Sequence, residues 1–364
     1  MKKLITKIEG EATLNIIGDE IIEWVDIEFH QFRGIENYLI DKHYMDALVI
    51  NPRICGICGH SHLIATAQAI ENAFGAIITN KAKLIRELTL NFEIIENHIK
   101  WFYITLFPTQ IKDKKYLFKA LQASQKISQA IALIAGQYPH NSYAIPGGIT
   151  SDITYLELTK VKNIIYQLLE FKQELWSDFE LFFTKIPKNI GKSNNRFLTK
   201  NLDISKIKEI SNNPYQKVTY NGLYYETGPL SRMKEYIKEI YQKYQDSIYS
   251  RIYARVYEIF YLLNKNLEII SKIDLSENSY IKPNITSNKG YSIIEAPRGV
   301  LIHEIEILNE KIKYYNIIVP TQFNLSTGSK DNPSAAQQAL LNENKKYLDT
   351  IFKCFDICAV CIGH

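Results

Sequence analysis

Cysteine is scarce in this chain, five in 364 residues, which argues against a disulfide framework and fits a reducing compartment. No stretch approaches the run of about 20 apolar residues that a membrane span requires. The opening MKKLITKIEGEATLNI has a small basic start but turns polar at Glu9 before any sustained apolar run, so no signal peptide is expected. A cytoplasmic location is the expectation, and export would need a partner that carries the signal. Charge of one sign is not in excess either: the formal net charge is +4, with basic and acidic residues interleaved, so no nucleic acid or other polyanion is implied as a partner. Repeats, low-complexity tracts and separating linkers are also missing. The chain can therefore bury a large core and is read as a single domain over residues 1–364.

The few cysteines are concentrated. RICGICGHSH carries Cys55 and Cys58, and DICAVCIGH carries Cys358 and Cys361 just before His364. Four soft thiolates in two Cys-x-x-Cys pairs select zinc, nickel or an iron-sulfur cluster and reject magnesium or calcium. A structural zinc site is one alternative; a redox dithiol, which would need only one pair, is another. The second pair lies where a chain frays unless the core ties it down, so folding must bring it beside the segment near residue 55. A hard cation there would satisfy His364 and the α-carboxylate together. Cys354 is expected as a buried core thiol on a helix.

Periodicity predicts short strands first, with alternation over Ala12 to Ile17 and Ile21 to Phe29, and then helices. Leu84, Leu88, Phe92, Ile95, Ile99, Phe102 and Leu106 fall at helical spacing over Lys81 to Phe107, and Pro108 stops the run. Further helices are predicted over Gln122 to Ala135, over about Asp152 to Lys185 after Ser151, and over Lys234 to Ile270. Pro187 to Pro229 is polar and Asn-rich and reads as an irregular excursion. Val300 to Ile307 and Ile312 to Val319 read as a hairpin about a Leu308 to Lys311 turn, and Pro333 opens a last helix to about Phe355. The expectation is a mainly α protein, a long-helix bundle with small peripheral strands and hairpins.

With these motifs in this order, the chain resembles the large subunit of nickel-iron hydrogenases over nearly its whole length. RICGICGHSH and DICAVCIGH match that family's two ligand motifs. KIEG at Lys7 to Gly10, RGIE at Arg33 to Glu36, YPHNSYAIPGG from Tyr138 to Gly148, ETGPLSR at Glu226 to Arg232, EAPRG at Glu295 to Gly299 and VPTQFN at Val319 to Asn324 match the segments around them. The resemblance implies the large-subunit fold and reversible heterolytic cleavage of hydrogen. That reaction needs an electrophilic metal and a base, held rigidly and away from bulk water.

By the same resemblance, Cys55 and Cys358 would bind nickel terminally, and Cys58 and Cys361 would bridge it to an iron carrying carbon monoxide and cyanide. Arg298 would lie over the metals, and Pro297 and Thr321 would line the cyanide pockets; for Arg298 the plainer alternative is an ion pair with Glu295. Asp356 would pair with Arg298 or an equivalent cation, or else be an ordinary turn carboxylate. Glu9 would relay protons from a thiolate, against the reading of a solvated strand-edge residue. Glu36 and His364 would hold a second, hard metal, magnesium. His62 follows Cys58 by four residues, so on a helix it shares a face with that thiolate and can hydrogen-bond it, or it is a satisfied core histidine.

Because no cysteines remain for an iron-sulfur cluster, the resemblance implies a small subunit that carries the clusters, contacting the face around Cys55 to His62. Maturation proteins would supply the diatomic ligands, and a further redox or membrane subunit is compatible. The chain departs from the family's pattern at Glu11, Ile357 and Asn97, which stand where histidine, proline and aspartate are usual; Asn97 drops a charge near the metals. The sequence ends at His364, as does the family's mature form after removal of an extension, or a hydrogen-sensing form made without one. A slow-turnover sensor is therefore the first alternative to a metabolic enzyme. A quinone-site subunit of the complex I type is the second, against which the four cysteines argue.

Overall fold

A computed structural model describes residues 2–7, 10–29, 34–212 and 215–358 of the chain. Long helices form the centre. Asn80–Lys100 begins at Thr79, whose hydroxyl accepts the Ala82 N–H, and buries Leu88, Phe92, Ile95 and Ile99 against the Ile248–Lys272 and Lys115–Ala135 helices. It continues through a π turn, Trp101–Leu106, before Pro108 closes it in a 3-10 turn over Phe107–Thr109. The molecule is thus mainly helical, with small sheets at its edges. Among the described residues no helix is long and apolar enough to cross a membrane.

Lys2–Lys7, Gly10–Ile17 and Trp24–Phe29 form an antiparallel sheet in chain order. Its register pairs Ala12 with Phe29, Leu14 with Ile27 and Ile16 with Val25, so that alternation puts all six on one buried face. A second antiparallel sheet, Asn288–Ala296, Gly299–Leu308 and Lys311–Ile318, lies on the Gly59–Phe74 helix. The close approach depends on small residues. A Cβ on Gly290 would stand 2.3 Å from the Ala69 carbonyl oxygen and from the Ala73 nitrogen, and Ser292 donates to the Ala65 carbonyl at 2.7 Å.

Several predicted helices prove shorter or divided. The run expected from Asp152 to Lys185 is two helices, Tyr155–Glu170 and Lys172–Phe183, and it starts at a Thr154–Glu157 capping box rather than at Asp152. Lys234 to Ile270 resolves into Lys238–Tyr244 and Ile248–Lys272, parted at Gln245, where φ is +53°. The last helix ends at Leu340, Asn342 adopts φ +64°, and helix resumes only over Leu348–Lys353. Lys115–Ala135 begins seven residues before the predicted Gln122. The Leu308–Lys311 turn forms as predicted, with Asn309 and Glu310 both at positive φ, but the hairpin gains Asn288–Ala296 as a third strand. The excursion after Pro187 contains a hairpin of Ile207–Asn212 with Tyr215–Tyr220.

Three of the sequence motifs lock together. The Thr227 hydroxyl accepts the Val300 N–H at 2.9 Å, while Asn324 accepts from the Thr227 N–H at 2.8 Å and donates to its carbonyl at 3.1 Å. A Cβ on Gly299, where φ is +135°, would collide with the Thr227 side chain. Arg232 donates to the carbonyls of Ala296 and Pro297. ETGPLSR, EAPRG and VPTQFN therefore form one interlocked frame that fixes the turn carrying Arg298. At the ends of the described chain, Lys3 pairs with Asp349 at 2.8 Å.

Candidate metal centre

The amino-terminal thiols sit where a 3-10 turn, Asn51–Ile54, meets the Gly59–Phe74 helix. Cys55 is extended and Cys58 is the residue preceding the helix. The Ile57 and Cys58 N–H groups point at Cys55 Sγ, at 3.4 and 3.2 Å, a pattern that favours a thiolate. The loop doubles back tightly: a Cβ on Gly59 would lie 2.2 Å from the Pro52 carbonyl oxygen. Cys358 arrives from beyond the Leu348–Lys353 helix. The sulfurs of Cys55, Cys58 and Cys358 lie within 4.8 Å of one another and all three residues are buried. Metal–sulfur bonds of about 2.3 Å span such a separation. Cys361, Glu9 and His364 lie outside the described residues.

Cys58 and Cys358 open on a small cavity lined also by His62, Arg298, Thr321 and the apolar Ala296, Pro297, Leu301, Val319 and Pro320. Soft donors, an apolar wall and one buried guanidinium suit a soft metal carrying small anionic ligands. Arg298 is aimed by Asp356, whose carbonyl accepts from Nε at 3.1 Å and whose Oδ1 lies 3.2 Å from the same atom. Asp356 adopts φ +53°, and its other carboxylate oxygen takes Arg255 at 2.9 Å. One carboxylate thus serves two guanidiniums. Glu295 pairs with Arg232 at 3.0 Å rather than with Arg298. Asn97 is buried, and its Oδ1 makes no hydrogen bond among the described residues. Glu36 is buried on the Ile35–Leu39 helix and is not among the residues that line the cavity.

Behind this shell lie groups that the sequence reading did not reach. Arg255 stacks over Trp101 at 4.3 Å, and its NH1 lies 3.4 Å from His98 Nδ1; His98 bonds Glu258 at 2.8 Å, and Glu258 takes Arg232 through both oxygens. Burial holds His98 down to about 4, and the Arg232 charge holds Glu258 at about 2 against the opposing effect of burial. Glu93, fully buried on the Asn80–Lys100 helix, accepts the N–H groups of His60 and Ser61 at 2.8 and 2.9 Å and the Ser61 hydroxyl. Burial nonetheless pushes its carboxyl up to about 8. His60, bonded to Thr89 and Asn141, is held down to about 4 by burial. His62 bonds His303 at 3.0 Å. His303 shares its strand face with Leu301 and Ile305, and a lone histidine in that apolar alternation is the signal that marks it.

The chain matches the family described as nickel-dependent hydrogenase over residues 33–106 and 218–364. It is 25% identical, over 91% of its length and 85% of the relative's, to the coenzyme F420 hydrogenase subunit alpha of Methanothermobacter thermautotrophicus. To the sulfhydrogenase 2 subunit alpha of Pyrococcus furiosus it is 26% identical over 99% of this chain and 97% of that one. Its fold superposes on the [NiFeSe] hydrogenase of Desulfomicrobium baculatum with a TM-score of 0.92 at 18% identity, covering 100% of both chains. With Cys55, Cys58 and Cys358 gathered beside the Arg298 turn, the chain belongs to the nickel-dependent hydrogenases, oxidoreductases of which it is a large, nickel-binding subunit.

Proposed function

We propose that this chain is the catalytic subunit of a hydrogenase that interconverts hydrogen with protons and electrons. The observation that carries the reading is the convergence of the buried Cys55, Cys58 and Cys358 sulfurs on one another, beside a cavity that Cys58, Cys358 and Arg298 line. Cys55, Cys58, Cys358 and Cys361 would hold the nickel-iron centre, and Pro297, Arg298 and Thr321 would accommodate its carbon monoxide and cyanide ligands. When bound, the centre supplies the electrophile that splits hydrogen. The apolar wall excludes water. Arg298, fixed through Nε, presents a constant positive charge to the anionic centre. A cysteine sulfur would accept the proton and Glu9 would carry it onward, while Glu36 and His364 would hold magnesium. Electrons leave through an iron-sulfur small subunit docked near Cys55 to His62. Gly56 in that stretch is exposed.

Purified with its maturation system, the protein is expected to contain nickel and iron in equal amounts and to show infrared bands of iron-bound carbon monoxide and cyanide. Zinc in place of nickel, without such bands, would sink the reading.

A further inference from the structure

His62 faces the cavity shared with Cys58 and Cys358, yet one of its ring nitrogens is turned away, with Nδ1 lying 3.0 Å from Nε2 of His303. Which nitrogen of His62 carries the proton decides what it offers the thiolates. Nε2 can donate to an anionic sulfur, or it can present a lone pair that the sulfur repels. The neighbouring groups settle the choice. His303 Nδ1 is 2.7 Å from the Tyr315 hydroxyl and 3.3 Å from Thr66 Oγ1. The Thr66 hydroxyl spends its proton on the His62 carbonyl at 2.7 Å. Asn51 Nδ2 sends one hydrogen to Thr66 at 2.9 Å and the other to the Tyr315 oxygen at 2.7 Å.

Tyr315 therefore accepts from Asn51 and has one proton to place. Its nearer acceptor is His303 Nδ1 at 2.7 Å, against 3.2 Å for Thr66. An accepting Nδ1 puts the His303 proton on Nε2, which donates to His62 Nδ1, and that in turn places the His62 proton on Nε2. Reversing the Asn51 amide would reverse the wire, but at a cost. As oriented, only its Oδ1 stands unbonded among the described residues, whereas the reversed amide would strand two N–H donors in that position. All five residues are buried, so water does not compete for these bonds.

We propose that His303 is a positioning residue, held between Tyr315 and His62 so that His62 keeps its proton on Nε2 and donates it into the thiolate cavity. The inference deepens the proposed function and rests on it. Metal sites owe much of their tuning to partners that fix a histidine's tautomer, and loss of such a partner costs about ten- to a hundred-fold in activity or affinity.

Tyr315→Phe tests it, because it removes the proton at the head of the wire and leaves a ring of nearly the same shape. In the loaded heterodimer with ¹⁵N-labelled histidine, the native nitrogen shifts should report Nε2–H for both His62 and His303, and Tyr315→Phe should move the proton of His62 to Nδ1. The infrared bands should shift and turnover fall about tenfold or more, with nickel and iron retained. Tyr314→Phe, at an exposed position on the same strand, should change none of these. A Tyr315→Phe protein that melts lower but keeps the native nitrogen shifts and bands would reduce His303 to a core residue and overturn the proposal. Missing bands in the native protein would instead defeat the hydrogenase reading, and the nitrogen shifts would still decide the tautomer.

Discussion

At the scale of single residues, the cavity is governed by how few counter-charges it has. Arg298 and Arg255 share Asp356, and Asn97 contributes no charge. The left-handed backbone of Asp356 goes with both its carbonyl and its carboxylate lying beside Arg298 Nε. A planar guanidinium anchored at one edge leaves its fork directed elsewhere, which a lysine cannot reproduce. Arg298→Lys should therefore keep nickel and iron bound and lower hydrogen turnover by about two orders of magnitude. Metal analysis beside hydrogen uptake with an artificial acceptor measures both; full turnover with full metal content would mean that Arg298 serves only as a charge. The thiols were legible because Cys-x-x-Cys announces itself. Arg255 and His98 were not, since nothing in a helix sequence says which distant carboxylate a side chain will meet.

At the scale of elements, the Gly59–Phe74 helix begins just after Cys58 and is plugged at that end by Glu93 from its neighbour. The Glu93 carboxyl rises from 4.5 to about 8 on folding because burial outweighs its hydrogen bonds to Ser61 and His60. Between those values the folded state holds a proton that the unfolded chain has lost. Its contribution is thus complete below about pH 4.5 and disappears as pH rises through about 8. His60 and His98 act on the other side. Both fall from 6.5 to about 4, so their contribution is present above 6.5 and is lost as pH drops toward 4. Unfolding midpoints followed across this range should form a dome, and Glu93→Gln should flatten its alkaline side alone. An unchanged alkaline slope in that variant would show Glu93 ionised in the folded protein. Helical stripes such as Leu88, Phe92, Ile95 and Ile99 were readable, but the breaks at Phe171 and Gln245 were not, because apolar spacing runs on across them. The Asn288–Ala296 strand escaped for a different reason: three of its four inward positions, Gly290, Ser292 and Ala296, are small or polar, and Gly290 and Ser292 are dictated by the helix they touch.

At the scale of the whole molecule, the cavity draws on four stretches of chain, near residues 55 to 62, 296 to 301, 319 to 321 and 356 to 358. The order of these motifs was plain in the sequence, and their meeting is a product of the two sheets and the interlocked frame. A metal gripped by Cys55, Cys58 and Cys358 would tie together points roughly 300 residues apart. In polymer terms it is a cross-link, and the loop it closes removes as much freedom from the unfolded chain as a long-range disulfide, on the order of 5 kcal/mol. Stripping the metal should lower the unfolding midpoint markedly and make the segment after the Leu348–Lys353 helix the first to be cut by protease. Equal midpoints and equal cleavage with and without metal would show that packing alone holds the two ends. Such a clasp would also set a timetable for manufacture: the ring of ligands stays open until synthesis has passed Cys358, roughly 300 residues after Cys58, and the ion can be sealed in only after that stretch has been threaded into place.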